Sequence, residues 1–217
     1  VSLWMGINGH GKSLVTSQIA LDFLHQGDRV CIASFEMKPR ATIARMVRQG
    51  FGTHQPSAIA VDAFITHASG KLWLYDKMGQ TDPKHLLAIM RYARRKLGIN
   101  HFFVDSIMKV VKGEDDYNGQ KEFVNIICDF AQDTDCHVHL IHHSRKLGDE
   151  NDVPGKMDAK GSGAIVDQID QSFTVWRNKR KEQDRQKGKE IDETIPDALI
   201  VCDKNRHGEW EGRIGLY

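Results

Sequence analysis

The stretch from Gly6 to Ser13, Gly-Ile-Asn-Gly-His-Gly-Lys-Ser, fits the pattern G-x-x-x-x-G-K-[ST] and constrains the fold more than any other part of the sequence. In this pattern the glycines let backbone N–H groups face phosphate oxygens, the lysine contacts the β- and γ-phosphates, and the serine hydroxyl binds Mg²⁺. An apolar run from Val1 to Met5 precedes it, and residues 14–21 have helical character. A strand, a glycine-rich turn and a helix N-terminus together form an anion site. The stretch therefore predicts a nucleoside triphosphate site rather than an ordinary glycine turn.

The predicted site takes in the glycine-rich turn and the start of the following helix. Lys12 supplies a point charge for the phosphates, and Ser13 supplies a hydroxyl for Mg²⁺. The residues expected to bind the nucleotide are Gly6, Asn8, Gly9, His10, Gly11, Lys12, Ser13 and Leu14, with Arg177 farther along the chain.

Composition limits the classes of protein and of partner. A chain of 217 residues suits one large α/β domain that can bury its core without disulfides or metals. The 30 Lys and Arg residues balance 29 Asp and Glu residues, so any polyanionic partner must be bound locally. The four cysteines show no C-x-x-C spacing, which indicates reduced thiols in a cytosolic-type compartment. No apolar run approaches the length of a membrane span, and we expect no signal peptide before the first strand.

A second apolar run, residues 29–35, ends at Glu36. In open α/β sheets ligands bind beyond the carboxyl ends of the strands, so a carboxylate at this position is expected near the glycine-rich turn. Such a glutamate can accept the proton of a water that attacks the γ-phosphate. An equally good interpretation from position alone is a solvated glutamate that caps the next helix, before Lys38 and Pro39.

A third apolar run, from His101 to Val104, ends at Asp105. An aspartate at the carboxyl edge of a sheet can reach a Mg²⁺-bound water, and together with Ser13 it is the expected metal site. The pattern is weak alone and becomes informative because it follows a glycine-rich turn.

Four histidines occur between residues 137 and 143. Strand periodicity places His137 and His139 on one face, but no Cys, Asp or Glu lies at the usual ligand spacing for a structural metal. We therefore expect His142 or His143 to act as a polar sensor at the strand tip.

The remaining pattern predicts a largely parallel sheet flanked by helices, with antiparallel strands added late in the chain. Segments 109–121 and 147–160 are expected to be polar loops. The highly charged run 177–190 is expected to be a solvated hairpin. Arg40, Arg45 and Arg48 are expected on the solvated face of a helix over residues 39–50.

Several motifs, taken in order, resemble the RecA-like ATPase domain of the replicative hexameric helicases: bacterial DnaB, the phage primase-helicases and mitochondrial Twinkle. The resemblance covers nearly the whole chain, and its ordered set of motifs is more specific than any single member. The matching segments are residues 6–13 (Walker A), 34–37 (the S-L-E-M element with the catalytic glutamate), 104–105 (Walker B), 160–164 (the R-G-S-G-A element) and 204–208 (the K-x-R-x-G element). Lys160 departs from the usual arginine, which keeps the charge but removes the bidentate fork. His143 stands where phage and mitochondrial members carry a histidine, and it favours that branch.

The resemblance implies ATP hydrolysis at the interfaces of a homohexameric ring, with Mg²⁺ held by Ser13 and Asp105. Glu36 is then the residue that activates water, His143 the γ-phosphate sensor, and Arg206 an arginine finger that acts on the neighbouring subunit. Lys204 is expected to couple the nucleotide to movement between subunits. Lys12 completes the catalytic set.

The resemblance also implies single-stranded DNA in the central channel of the ring. The expected contacts are Lys109, Lys112, Lys146, Lys156, Lys160, Gly161 and Gly163. Primase is a further candidate partner, and no membrane is expected. The expected location is the cytoplasm, that of the bacterial host if the gene is a phage gene. The chain, 1–217, is then one helicase ATPase domain, a fragment without the N-terminal domain and linker.

Two alternatives differ in function. One is a RecA/KaiC-type ATPase that associates with DNA without unwinding it, and the other is a loader or interaction module that only binds ATP. Glu36, Asp105 and Arg206 disfavour a pure binder, which needs only the glycine-rich turn. A P-loop kinase would need an acceptor pocket and lid arginines that we do not find.

Overall fold

In the computed structural model, residues 1–112, 116–144, 153 and 163–217 are described, the side chains of residues 163 and 164 excepted. Within these ranges, one sheet has eight strands in the order β3-β2-β4-β5-β1-β6-β7-β8. The strands are β1 (Ser2–Met5), β2 (Val30–Ser34), β3 (Leu72–Leu74), β4 (His101–Asp105), β5 (His137–Ile141), β6 (Gln171–Arg177), β7 (Ala198–Asn205) and β8 (Gly212–Leu216). The first six run parallel, and β7 is antiparallel to both of its neighbours. The predicted parallel sheet with late antiparallel strands is confirmed.

Helices cover both faces of the sheet. They are α1 (Lys12–Gln26), α2 (Pro39–Phe51), α3 (Ala58–Ala68), α4 (Pro83–Tyr92), α5 (Tyr117–Thr134), α6 (Gly163–Gln168) and α7 (Lys179–Gln186). A π-helical turn, Ala93–Leu97, continues α4, and a 3₁₀ turn, Ile107–Lys109, follows β4. No helix within the described ranges is both long and apolar enough to cross a membrane.

The core lies in two layers because the parallel strands are buried on both faces. Phe102 and Phe130 belong to the layer under α4, α5 and α6. Phe103, the next residue along β4, points into the opposite layer with Leu24 and Met46 of α1 and α2. Alternation of side chains along one strand thus supplies both layers.

The predicted loop 109–121 is shorter than expected, the predicted hairpin is a helix, and the predicted loop 147–160 lies outside the described residues except for residue 153. Helix α5 begins at Tyr117, because the Asp116 side chain accepts the Gly119 N–H at 2.9 Å and caps the first turn. The charged run after Arg177 is not a hairpin but helix α7, which Asn178 caps through the Lys181 N–H at 2.9 Å.

One charge of α7, that of Lys181, is buried and paired rather than solvated. The Lys181 side chain is only 6% exposed and lies 3.0 Å from both Glu193 and Asp197. Lys, Arg, Glu and Gln are good helix formers, so a charged run can be helical when its partners lie nearby. The prediction of a solvated hairpin was therefore wrong.

Candidate nucleotide-binding site

Four strand ends meet at one edge of the sheet, in the spatial order β2, β4, β5, β1. Their following residues are Glu36, Asp105 at the end of β4, His143, and the glycine-rich turn that begins at Gly6. Ligands of open α/β sheets bind beyond such carboxyl ends. The residues that the sequence predicted as separate signals therefore belong to a single site.

The glycine-rich turn is held in place by close packing and by its glycines. A Cβ atom built on Gly6 would overlap the Val175 carbonyl oxygen of the neighbouring strand β6. Gly9 and Gly11 have φ values of 80° and 92°, which glycine adopts without strain. Gly11 is also the N-cap of α1 and makes no side-chain cap, so no capping side chain occupies the first N–H groups of this helix.

Lys12 is buried, and its ammonium group donates to the carbonyl oxygens of Gly6 at 2.8 Å and Ile7 at 3.1 Å. Burial lowers the pKa of Lys12 to about 8, and the nearby Asp105 and Glu36 carboxylates act in the opposite direction. An arriving phosphate would favour the charged ammonium form. In this structure the Lys12 ammonium group therefore lies within the glycine-rich turn, where a bound phosphate would contact it.

Ser13 and Asp105 form a pair of oxygen donors. The Ser13 hydroxyl donates to Asp105 Oδ2 at 2.7 Å. Burial raises the pKa of Asp105, while the Ser13 hydrogen bond lowers it. A hydroxyl and a carboxylate oxygen are the hard ligands that Mg²⁺ takes in nucleotide sites, so the two residues fit the predicted metal.

Glu36 lies next to this pair. Its Oε1 atom accepts a hydrogen bond from the Ser106 hydroxyl at 3.4 Å and lies 3.8 Å from His143 Nε2. His143 is therefore the strand-tip histidine that approaches the candidate catalytic carboxylate. His142 is completely buried instead, and its backbone N–H donates to the Trp4 carbonyl at 2.9 Å.

His10 connects the glycine-rich turn to the end of β6. The residue is 2% exposed, and its Nδ1 accepts the Arg177 backbone N–H at 3.1 Å. Asn8 and Leu14 are exposed beside it. The Arg177 guanidinium is about half exposed and pairs with Glu182 at 2.8 Å. The predicted nucleotide residues therefore lie together, with Arg177 at the rim.

Arg45 was assigned to a solvated helix face, and this assignment was wrong. It is half-buried and lines a small cavity together with Ser13, Ser34 and Asp105. Its charge also acts to lower the pKa of Asp105, against the larger effect of burial. Arg40 and Arg48 are exposed, as expected. Sequence spacing alone could not show which of the three arginines faces the sheet edge.

Lys204 and Arg206 lie at the opposite edge of the sheet, where the parallel strands β1 and β6 begin. Lys204 pairs with Ser172 at the start of β6, which pairs in turn with Leu3 of β1. Because three strand residues span about 10 Å, both side chains lie well away from the turn that follows β1. The Lys204 ammonium donates to the Val166 carbonyl at 2.6 Å, and the Arg206 guanidinium donates to the Asp167 carbonyl at 2.7 Å. Both cations thus contact the C-terminal end of α6.

The predicted DNA contacts are described only in part. Lys146, Lys156, Lys160 and Gly161 lie outside the described residues. Gly163 begins α6. Lys109 is half-buried and Lys112 is exposed, and both follow β4 on the same edge as Asp105.

Three further histidines, His101, His137 and His139, form a packed cluster toward the opposite edge. His137 and His139 lie on one sheet face as predicted, with His101 of β4 beside them: the His101–His139 ring centroids are 5.7 Å apart. Phe23 of α1 stacks on His101 at 3.7 Å. Within the described part of the chain, no three His, Cys, Asp or Glu residues are placed to hold a metal ion.

These features define a domain of the P-loop ATPase class with a RecA-like parallel sheet. Residues 1–149 match the family model described as an AAA domain, and the chain belongs to this family.

Two solved structures share the fold across 98% of the chain. One is an ATPase domain, with a TM-score of 0.76 at 18% identity, and the chain covers 79% of it. The other is a DnaB-like replicative helicase studied with its interactions with primase, with a TM-score of 0.76 at 17% identity. The chain spans 55% of that protein. The chain shares the fold of these two structures, and the predicted RecA-like fold is confirmed.

Proposed function

We propose that the chain is the motor domain of a DNA helicase that hydrolyses ATP at interfaces between copies of itself. The observation that carries this proposal is the division of the site between two sheet edges. The glycine-rich turn, Glu36 and Asp105 share one edge, while Lys204 and Arg206 lie at the other. A copy that placed its Lys204 edge against the next copy's turn would complete the site. Such a head-to-tail contact closes into a ring when the rotation between copies is a whole fraction of a turn.

In this proposal the roles follow from the local chemistry. Lys12 and the backbone N–H groups of the turn bind the phosphates, and Ser13 and Asp105 would hold Mg²⁺, which neutralises charge on the phosphate oxygens when bound. Glu36 takes the proton of the attacking water. His143, whose Nε2 atom lies 3.8 Å from Glu36 Oε1, would respond to the γ-phosphate, and a histidine at this position favours the phage-like branch. Arg206 of the neighbouring copy stabilises charge in the transition state.

The proposed partners rest on the same arrangement and on the related proteins. Single-stranded DNA would meet Lys109 and Lys112, which follow Asp105 on the sheet edge that carries the glycine-rich turn, together with the predicted residues 146, 156, 160, 161 and 163. A few lysines per copy, repeated around a ring, could bind a phosphate backbone although the net charge is only +1. Primase is a candidate partner because one structural relative was studied with it.

The experiment mixes two inactive variants. We expect Glu36→Gln and Arg206→Ala each to lose ATPase activity stimulated by single-stranded DNA, because each removes one half of the composite site. An equal mixture contains intact interfaces, formed by Glu36 of one variant and Arg206 of the other. Random mixing should restore about a quarter of the wild-type rate.

Two outcomes would contradict the proposal. Full activity of Arg206→Ala would remove the finger from its role, and a mixture no more active than its components would show that the two residues act within one chain. A strand-displacement assay on forked DNA provides the third readout. Complementation without displacement would favour the DNA-associated ATPase that does not unwind.

A further inference from the structure

Ser106 is a buried polar residue to which the proposed mechanism gives no role. It lies at the nucleotide edge, which is the sheet edge that carries the glycine-rich turn, Glu36 and Asp105. It directly follows Asp105, and its relative exposure is 0%. A buried hydroxyl is expected to have a hydrogen-bond partner, since an unsatisfied one costs free energy. The partner here is Glu36 Oε1, which accepts from Ser106 Oγ at 3.4 Å.

The backbone, rather than chance side-chain placement, brings the two residues together. Ser34 of β2 is in register with Asp105 of β4, and the Phe35 N–H continues the ladder to the Asp105 carbonyl at 2.8 Å. The Met37 N–H then donates to the Ser34 hydroxyl at 3.2 Å, which turns the chain just beyond Glu36. Glu36 and Ser106 therefore leave neighbouring strands side by side.

Glu36 needs an anchor because much of its side chain is open to solvent. The side chain is 43% exposed, and the His143 ring approaches it only to 3.8 Å. A free glutamate side chain samples many rotamers, and holding a catalytic group in one geometry is a large part of its effect. The present 3.4 Å distance between Ser106 Oγ and Glu36 Oε1 is long for a hydroxyl–carboxylate bond, and such bonds tighten when substrate binds.

We propose that Ser106 is a positioning residue. It holds the Glu36 carboxylate where it can take the proton of the water that attacks the γ-phosphate. The two carboxylates of the site are then held by two serines: Ser13 donates to Asp105, and Ser106 donates to Glu36. The proposal rests on the function proposed above, because it assigns Glu36 to the activation of water. Ser106 itself touches neither nucleotide nor water in this scheme.

The test compares the kcat and KM of ATP hydrolysis in the chain with single-stranded DNA present. For Ser106→Ala we expect kcat to fall about tenfold, which corresponds to about 1.4 kcal/mol, with KM changed less than about twofold. For Ser106→Cys, which fills the same space but donates weakly, we expect a similar loss. Ser172→Ala is the matched control, because Ser172 is equally buried and lies at the other end of the sheet. This control should keep the wild-type kcat.

A double-mutant cycle separates positioning from a general structural effect. If Ser106 acts through Glu36, Ser106→Ala should change the single-turnover rate of Glu36→Gln by less than about twofold, since residues that act as a unit are non-additive. A full tenfold loss in that background would overturn the proposal, as would wild-type kcat in Ser106→Ala or in Ser106→Cys. An inactive wild-type chain, or a fully active Glu36→Gln, would instead overturn the proposed function.

Discussion

Acid should weaken this fold through the histidine cluster of β4 and β5. Trp4 Nε1–H can only donate, so the 3.4 Å contact makes His139 Nδ1 an acceptor and leaves the proton on Nε2. That Nε2–H then donates to His101 Nδ1 at 3.4 Å. His101 Nε2–H in turn faces the Asp28 carboxylate at 3.6 Å. The network needs a neutral His139, and a second proton on this ring would be left without an acceptor.

The pKa of His137 determines how much free energy of unfolding is lost in acid. It hydrogen-bonds Ser2 at 2.7 Å, and burial lowers its pKa to about 4, against about 6.5 in an unfolded chain. Because the folded pKa is the lower one, the unfolded chain binds more protons between these values, and stability falls as the pH falls through that window. From pH 7.5 to pH 5 this one residue should cost about 2 kcal/mol. Burial also lowers the pKa of His139 and of His101, in the same direction.

The assay is urea unfolding at pH 7.5 and at pH 5, monitored by circular dichroism. His137→Gln keeps a polar group near Ser2 but cannot take up a proton, so we expect it to lose about 2 kcal/mol of the wild-type pH dependence. His54→Gln is the control, because His54 is exposed and far from the cluster in sequence. If His137→Gln and the wild type lost the same free energy of unfolding between the two pH values, the loss assigned to His137 would be refuted.

The glycines give two further predictions. Gly6→Ala should abolish binding of a fluorescent ATP analogue and lower the free energy of unfolding by about 1–3 kcal/mol, because the new Cβ overlaps the Val175 carbonyl. Retained binding at the wild-type melting temperature would contradict this. Gly50→Ala should instead raise the free energy of unfolding by about 0.5–1 kcal/mol, since Gly50 lies in α2 with no atom within 4 Å of a built Cβ. A destabilised Gly50→Ala would show that the space is not open.

The nucleotide edge could be predicted in outline because it follows from strand direction. Apolar runs that end in Gly6, Glu36 and Asp105 place these residues at one edge as soon as the strands are parallel, whatever their order. The open choice between a catalytic and a helix-capping Glu36 could not be decided in this way. The sequence also could not show that β2 lies beside β4, which puts Glu36 next to Ser106 and within 3.8 Å of His143.

Residues whose role depends on a partner distant in sequence were missed. Arg45 looks like its neighbours on a polar helix until α2 is placed against the sheet edge. Helix α7 looks like a solvated run until Glu193 and Asp197 return to pair with Lys181. In both cases the local pattern is that of an exposed segment, and only tertiary packing shows which charge is buried.

The position of Lys204 and Arg206 has a topological cause that the motif alone does not reveal. Strand β7 is antiparallel to β6, so it starts at the nucleotide edge, where Ala198 pairs with Arg177, and ends at the other edge, where Asn205 pairs with Gln171. Residues that directly follow β7 are therefore carried away from the glycine-rich turn of their own chain. A cation needed at the γ-phosphate from this position must come from another copy, which is the physical basis for proposing a composite site and for testing it by mixing variants.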